Sequence, residues 1–209
     1  MNILRTIRKW VTRSETITVP GFDFDELENI LQVKVVFVGD AVAGKSSLMR
    51  ASLQRTPWIE PGGPYGSRCE VDVTDVKMPQ GTTRLSLWDA CVYDEFGGRL
   101  RPIAYRKTGI MALVFSVDNP DSLESLEEKW KEEVDHFCPG IPKVVIGCKS
   151  DLRAKNDGCI DTQLGVDLAK RIGARHYIEC SAQQYVGIEE LLERIGSMAW
   201  GIHERSLKK

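Results

Sequence analysis

Eight consecutive residues constrain the fold of this chain more than any other feature. The segment Gly39-Asp40-Ala41-Val42-Ala43-Gly44-Lys45-Ser46 fits the pattern G-x-x-x-x-G-K-S. It follows an apolar run, 33–38, and precedes a helix-compatible stretch, 47–54, which is the context that a phosphate-binding loop requires. Backbone N–H groups of such a loop, together with the positive end of the helix, form a nest for a polyphosphate. The segment therefore predicts a strand, a tight loop and a helix around a nucleoside phosphate.

The residues at the end of this loop have separate predicted roles. Lys45 would bridge the outer phosphates, and the Ser46 hydroxyl would ligate Mg²⁺. Ser47 completes the predicted nucleotide-binding set of this segment. The competing interpretation is a glycine-containing turn that merely carries a lysine. Average composition would place the four fixed residues in a chain of this length about 1% of the time.

Composition sets broad limits on the class of protein. A hydrophobic content of 42% and a charged content of 28% are ordinary for one globular domain with extensions. The net charge of −2 gives no global reason to expect a nucleic-acid partner. We expect a cytoplasmic protein whose scattered cysteines are reduced and bind no zinc, because none forms a C-x-x-C pair. The cysteines are Cys69, Cys91, Cys138, Cys148, Cys159 and Cys180.

Apolar runs alternate with amphipathic segments along the chain, which predicts an α/β domain around a mostly parallel sheet. A hairpin over 70–88 would add an antiparallel edge strand, and the Pro/Gly-rich segment 56–68 is a predicted loop. The other predicted strands are 33–38, 110–117, 143–148 and 176–180. The predicted helices are 45–54, 122–137, 161–172 and 187–202.

Three predicted strands end in residues that suit a nucleotide site. Asp89 ends the strand 84–88 and would reach Mg²⁺, although an aspartate that starts a turn would look the same. Asp151 follows the strand 143–148 and can accept two hydrogen bonds from a guanine edge, which adenine cannot supply. The segment Glu179-Cys180-Ser181-Ala182 ends the last strand with small residues that permit a base to approach the backbone.

These landmarks, in this order, resemble the Ras superfamily of small GTPases. Rho-like character comes from Leu100-Arg101-Pro102-Ile103-Ala104-Tyr105, from the pattern between Trp130 and Pro142, and from Asp151-Leu152-Arg153. The resemblance covers about 32–200 and implies a G domain with a six-stranded, mainly parallel sheet flanked by about five helices. It also implies GTP or GDP and Mg²⁺ as ligands, with effector proteins and exchange factors as partners.

The resemblance assigns roles to residues of the base-binding loops. Lys149 would stack on the base, Asp151 would bind guanine, and the Ala182 backbone N–H would contact the base oxygen, with Ser181 beside it. Cys148 takes the place of the usual asparagine or threonine, a change of compatible size that we expect to weaken base binding only modestly.

Switch II departs from the family pattern W-D-T-A-G-Q-E. Here the segment is Trp88-Asp89-Ala90-Cys91-Val92-Tyr93-Asp94, so Val92 replaces the glycine and Tyr93 replaces the water-orienting glutamine. Tyrosine has one hydroxyl on a rigid ring and cannot copy a carboxamide that both donates and accepts. Ala41 replaces a glycine beside which the arginine finger of a GTPase-activating protein (GAP) enters. The competing interpretation is neutral drift in a chain that hydrolyses GTP by another geometry.

Two further departures concern switch I and the Rho-specific insert. The Mg²⁺-binding threonine of the family falls near Ser67, in a loop about three residues longer than usual. The chain is about ten residues shorter than the Rho pattern between Arg153 and Ile178, so we expect the insert helix to be missing.

The two ends of the chain also differ from the Rho pattern. The C-terminal residues Glu204-Arg205-Ser206-Leu207-Lys208-Lys209 contain no prenylation box, so we expect no prenyl anchor. Near the N-terminus, a stripe of apolar residues at helical spacing lies opposite basic residues, as in a helix bound to anionic lipid. Packing of that helix on the domain, disorder and a mitochondrial presequence are the alternatives. We expect an extension with a basic helix and an acidic linker over 1–31, a G domain over 32–202 and a short tail over 203–209.

The leading hypothesis is a Rho-like guanine-nucleotide switch with slow, GAP-insensitive hydrolysis. A pseudo-GTPase that acts as a nucleotide-stabilised interaction module is the alternative, favoured by the altered switch II. An ATP-dependent phosphotransferase is disfavoured by Asp151 and by the 179–182 segment.

Overall fold

A computed structural model describes residues 30–54, 71–90 and 101–208. The predictions for the N-terminal helix, the acidic linker, Ser67, Val92 and Tyr93 lie outside the described residues. The helical and strand bounds given below refer to the described ranges only.

The described residues form one six-stranded sheet in the order β2-β3-β1-β4-β5-β6. All neighbouring strands are parallel except β2, which pairs antiparallel with β3 as the predicted hairpin requires. The strands are β1 Ile30–Val38, β2 Val71–Met78, β3 Gly81–Asp89, β4 Ile110–Ser116, β5 Lys143–Cys148 and β6 His176–Cys180. The predicted α/β fold with a mainly parallel sheet is confirmed.

Five helical segments flank the sheet in the described ranges. They are α1 Lys45–Gln54, α2 Arg101–Ala104, α3 over 120–137, α4 Thr162–Ile172 and α5 Ile188–Leu207. Helix α3 consists of Pro120–Ser125, a π-helical turn Leu126–Trp130 and Lys131–Phe137. A short 3₁₀ turn, Ser150–Ala154, follows β5. None of the described helices is long and apolar enough to cross a lipid bilayer.

Two helices differ from the sequence prediction at their ends. Helix α3 begins at Pro120 because the Asn119 side chain accepts a hydrogen bond from the Asp121 N–H and proline suits the first helical turn. Helix α5 was predicted to end at 202 but continues to Leu207, since neither proline nor glycine interrupts 202–207. Residues 203–207 therefore belong to this helix, although the sequence analysis assigned them to a tail.

Helices cover both faces of the sheet, so the central strands are buried on both sides. Every residue of β4 and β5 is buried, whereas β3 alternates between buried and half-buried positions. Helices α1 and α5 pack on one face, and α3 and α4 pack on the other. The carboxyl ends of β1, β3, β4, β5 and β6 lie along one edge, where open parallel sheets bind their ligands.

Candidate nucleotide-binding site

The loop between β1 and α1 is tightly curled, and its glycines are required by that shape. Gly39 has φ +146°, and a Cβ there would lie 2.0 Å from the Val114 carbonyl oxygen. Gly44 has φ +102°, and a Cβ there would lie 3.0 Å from the Cys148 Cβ. Val42 adopts the left-handed conformation at φ +63°, which a β-branched residue rarely does, and the residue is 85% exposed. Both glycines thus permit a close approach between this loop and neighbouring strands.

Lys45 is held across the loop by its own backbone. Its side chain is buried, and its Nζ donates hydrogen bonds to the carbonyl oxygens of Gly39, at 3.0 Å, and of Asp40. The ammonium group therefore sits at the first residues of the loop, where an anionic ligand would meet a desolvated cation.

Ser46 and Asp89 meet at the start of α1. Asp89 is buried at the end of β3, and the parallel pairing of Phe37 with Asp89 places it next to β1. The Ser46 hydroxyl donates to Asp89 Oδ2 at 2.6 Å. A hydroxyl and a carboxylate are the hard oxygen donors that Mg²⁺ prefers, so the two side chains fit that ion.

A cleft of about 150 Å³ lies next to this loop, at the ends of β5 and β6. Its walls combine one glycine and one serine of the loop region with residues that follow β5 and β6. The lining residues are Gly44, Ser47, Cys148, Lys149, Asp151, Leu152, Ala182 and Gln183. Leu152 and Gln183 were not among the predicted site residues, although each directly follows one of them.

Asp151 is fixed in this cleft by a neighbouring strand end. The Ser181 hydroxyl donates to Asp151 Oδ1 at 2.5 Å, and the Gln184 N–H donates to the same hydroxyl at 3.1 Å. Asp151 is only 9% exposed, so a carboxylate here needs hydrogen-bond donors from whatever occupies the cleft. Guanine offers two such donors on one edge, and adenine does not.

Lys149 has an acidic partner that sequence analysis did not find. Its backbone is left-handed at φ +63°, and its Nζ lies 3.5 Å from Asp118 Oδ1. Burial by itself would raise the pKa of Asp118, but the Ser116 hydroxyl and Lys149 outweigh burial and lower that pKa. Asp118 follows the end of β4 at the same edge of the sheet, which is the signal that would have predicted it.

Comparison with known proteins agrees with this arrangement. A sequence model of the Ras family matches residues 34–199. The GTP-binding protein RHO1 of Candida albicans is 35% identical over 189 residues, which are 86% of this chain and 93% of that protein. The protein of the same name from Saccharomyces cerevisiae is 35% identical over 179 residues, 80% of this chain and 83% of that protein. The chain is a Rho-family small GTPase.

The Cys148 thiol of this Rho-family chain is buried beneath the phosphate loop. Burial raises the pKa of Cys148 to about 12, so the thiol is neutral at physiological pH. Cys148 pairs in register with Cys180 across β5 and β6, and both are free thiols. Within the described ranges, no three cysteine, histidine or carboxylate side chains cluster as metal ligands. Cys148 therefore contributes packing to the cleft in place of a polar side chain.

A partly buried ion pair holds the segment that follows β5 against the end of β6 in this GTPase. The Arg153 guanidinium donates to both Glu179 oxygens, at 3.1 and 2.6 Å, and the Tyr177 hydroxyl donates to Glu179 at 2.6 Å. Burial would raise the pKa of Glu179, but the bonds from Arg153, Tyr177 and Thr162 outweigh it and lower that pKa. The pair joins the residues that follow β5 to the end of β6, the two segments that line the cleft.

Proposed function

We propose that this Rho-family chain is a guanine-nucleotide switch that stays in the triphosphate state for long periods, because its hydrolysis is slow and insensitive to a Rho-type GAP. The observation that carries the proposal is a contrast within one chain. Lys45, the Ser46–Asp89 pair and Asp151 are set along one edge of the sheet as a binding site requires. The positions that activate water in the family are occupied by Val92 and Tyr93.

The proposal also states which residues bind the phosphates, Mg²⁺ and guanine. The phosphates bind to the loop 39–46 and Ser47, and Ser46 and Asp89 hold Mg²⁺, with Ser67 proposed as a switch I ligand. When bound, Mg²⁺ would neutralise phosphate charge. Guanine binds in the cleft with Asp151 accepting its two donors, and the residues that share this task are Cys148, Lys149, Ser181 and Ala182.

The proposal of slow hydrolysis depends on two replaced residues, Ala41 and Tyr93, that affect the same transition state. Tyr93 presents no carboxamide to the attacking water. Ala41 is exposed on the phosphate loop, so its methyl group would crowd an arginine finger, which contributes about 10³–10⁵ in rate. We propose that effectors contact the switch loops during the long triphosphate lifetime and that exchange factors reload the protein, in the cytoplasm or at a membrane surface.

Single-turnover GTP hydrolysis, with and without a Rho-type GAP, tests the proposal. We expect the wild-type rate to change less than about 10-fold on addition of GAP. Ala41→Gly/Tyr93→Gln is the matched variant and should regain part of the response, although glutamine alone need not restore it. A wild-type rate that rises by about 10³ or more with GAP contradicts the proposal. A fast rate without GAP would indicate an arginine supplied by this chain, with Arg68 the nearest candidate in the predicted switch I.

The altered switch II also favours a second candidate, a pseudo-GTPase that binds nucleotide without cycling. Val92 and Tyr93 replace both residues that the family uses around the γ-phosphate and the water. Exchange of the nucleotide that copurifies with the protein separates the two candidates. A switch with slow hydrolysis should contain GTP or exchange it for GDP in solution, whereas a pseudo-GTPase should retain one nucleotide that does not exchange.

A further inference from the structure

The phosphate loop is tied to helix α3 by a hydrogen bond between residues 90 positions apart. The indole Nε1 of Trp130 donates to Asp40 Oδ1 at 2.8 Å. Asp40 is the second residue of the loop, and its carbonyl oxygen also accepts a hydrogen bond from Lys45. Trp130 is 2% exposed and lies in the π-helical turn of α3, a local geometry that often occurs at functional sites. The bond therefore fixes the direction of the Asp40 side chain.

A carboxylate in this loop would repel a phosphate ligand. Like charges a few ångströms apart repel strongly where water is partly excluded. The loop supplies N–H donors and Lys45 to a polyphosphate, whereas Asp40 adds a negative charge to the same segment. The repulsion is smallest when the carboxylate is held toward α3 and kept partnered there.

Two cations flank the indole that makes this bond. The Arg101 Cζ lies 4.8 Å and the Lys129 Nζ lies 4.6 Å from the centre of the Trp130 ring, both within the range of a cation–π contact. Both cationic side chains therefore lie against the indole that binds Asp40 and restrict its position.

Arg101 is itself fixed by a partly buried ion pair. Its guanidinium donates to both Glu133 oxygens, at 2.9 and 2.6 Å, and the Tyr105 hydroxyl donates to Glu133 at 2.5 Å. Arg101 is 8% exposed, so this geometry has little freedom to change. Burial, together with the bond to Glu133, raises the pKa of Tyr105, which keeps the hydroxyl protonated as a donor. The α2–α3 contact thus holds Trp130 in place.

We propose that Trp130 is a positioning residue for nucleotide binding: its indole N–H holds the Asp40 carboxylate away from the polyphosphate. The Arg101–Glu133 pair supports that position of the indole. The inference rests on the guanine-nucleotide binding proposed above and does not depend on the rate of hydrolysis. It predicts that loss of the indole N–H weakens phosphate binding through charge and leaves the packing of α3 in place.

Dissociation of a fluorescent GDP derivative, N-methylanthraniloyl-GDP, tests the inference. Trp130→Phe keeps an aromatic ring and removes the donor, and we expect it to accelerate dissociation about 10-fold. Addition of Asp40→Asn to Trp130→Phe should return the rate to near that of Asp40→Asn alone, because a neutral carboxamide does not repel phosphate. Trp200→Phe is the matched control, since the Trp200 indole N–H has no hydrogen-bond partner among the described residues. Its rate should equal that of wild type.

Charge dependence separates positioning from a packing defect. The acceleration in Trp130→Phe should be larger with a non-hydrolysable GTP analogue than with GDP. It should also become smaller as the salt concentration is raised from about 0.05 to about 0.5 M, because that change shortens the electrostatic screening length severalfold. Asp40→Glu moves the carboxylate without altering α3, and it should accelerate dissociation even if Trp130→Phe folds poorly.

The outcomes are decisive for each proposal separately. If wild type binds GDP, and GDP dissociates from Trp130→Phe and Asp40→Glu at the wild-type rate, the inference is overturned and the proposed function is not. Trp130 has a packing role if Asp40→Asn does not correct the faster dissociation, or if that acceleration does not depend on salt or on the number of phosphates. Either result also overturns the inference. Absence of GDP binding by wild type overturns the proposed function, and this inference with it.

Discussion

At the scale of single residues, we expect Asp151 to decide which base the cleft accepts. Its Oδ1 already accepts the Ser181 hydroxyl, and the residue is almost fully buried. In Asp151→Asn, the amide oxygen can keep the bond from Ser181, and the amide nitrogen then presents a donor to the base. We expect GDP affinity to fall by about 10²-fold or more and xanthosine diphosphate to become the preferred ligand. Competition binding of both nucleotides to wild type and variant measures the exchange of preference.

ADP is the control ligand for this residue. It should bind wild type far more weakly than GDP, because adenine leaves the Asp151 carboxylate without its two donors. Equal affinities for GDP and ADP, or an Asp151→Asn variant that still prefers GDP to xanthosine diphosphate, would contradict the assignment of Asp151 to guanine.

At the scale of elements, the packing of α4 on the sheet depends on one glycine. A Cβ on Gly165 would lie 2.3 Å from the Tyr177 Cζ and hydroxyl oxygen. Tyr177 is fixed in turn by its bond to Glu179 at 2.6 Å. Helix propensity alone predicts that Gly→Ala stabilises a helix by about 1 kcal/mol. We expect Gly165→Ala instead to lower the free energy of unfolding by about 1–3 kcal/mol, because the clash forces α4 or Tyr177 to move. Urea unfolding with GDP present measures the change.

Gly201→Ala is the matched substitution within a helix. Gly201 lies inside α5, and nothing lies within 4 Å of the Cβ that would be added there. This variant should raise the free energy of unfolding by about 0.5–1 kcal/mol, through helix propensity alone. If Gly165→Ala and Gly201→Ala change the free energy of unfolding in the same direction, the close contact between α4 and Tyr177 does not determine the effect of Gly165→Ala.

At the scale of the whole molecule, the sequence of the N-terminal extension predicts attachment to a membrane surface. Five apolar residues fall on one helical face and four basic residues flank them, a pattern that binds anionic lipid reversibly. They are Ile3, Leu4, Ile7, Trp10, Val11, Arg5, Arg8, Lys9 and Arg13. We expect the full chain to sediment with liposomes that contain phosphatidylserine and to lose this on removal of residues 1–14.

Salt and lipid charge are the controls for attachment. Sedimentation should decrease in high salt and with uncharged phosphatidylcholine liposomes, because part of the binding energy is electrostatic. If the full chain stays in the supernatant with anionic liposomes at low salt, the extension has another role.

The sequence by itself determined the features that depend on local spacing. The phosphate loop, Asp89 at the end of β3, Asp151 just after β5 and the antiparallel hairpin follow from patterns within about twenty residues, so each was predictable from the sequence. The fold class followed because alternating apolar strands and amphipathic helices have few compact arrangements.

Only the tertiary structure decided which distant residues meet. Ser46 and Asp89 were both predicted as Mg²⁺ ligands, so their contact agrees with the sequence. The strand order β2-β3-β1-β4-β5-β6 and the packing of α3 place Lys149 beside Asp118 and Trp130 beside Asp40. No local pattern contains these pairings, because they depend on which strand ends become neighbours and on how a π-helical turn directs an indole. The sequence revealed the chemical role of each predicted side chain. The packing of the sheet and helices determined which distant residue it contacts.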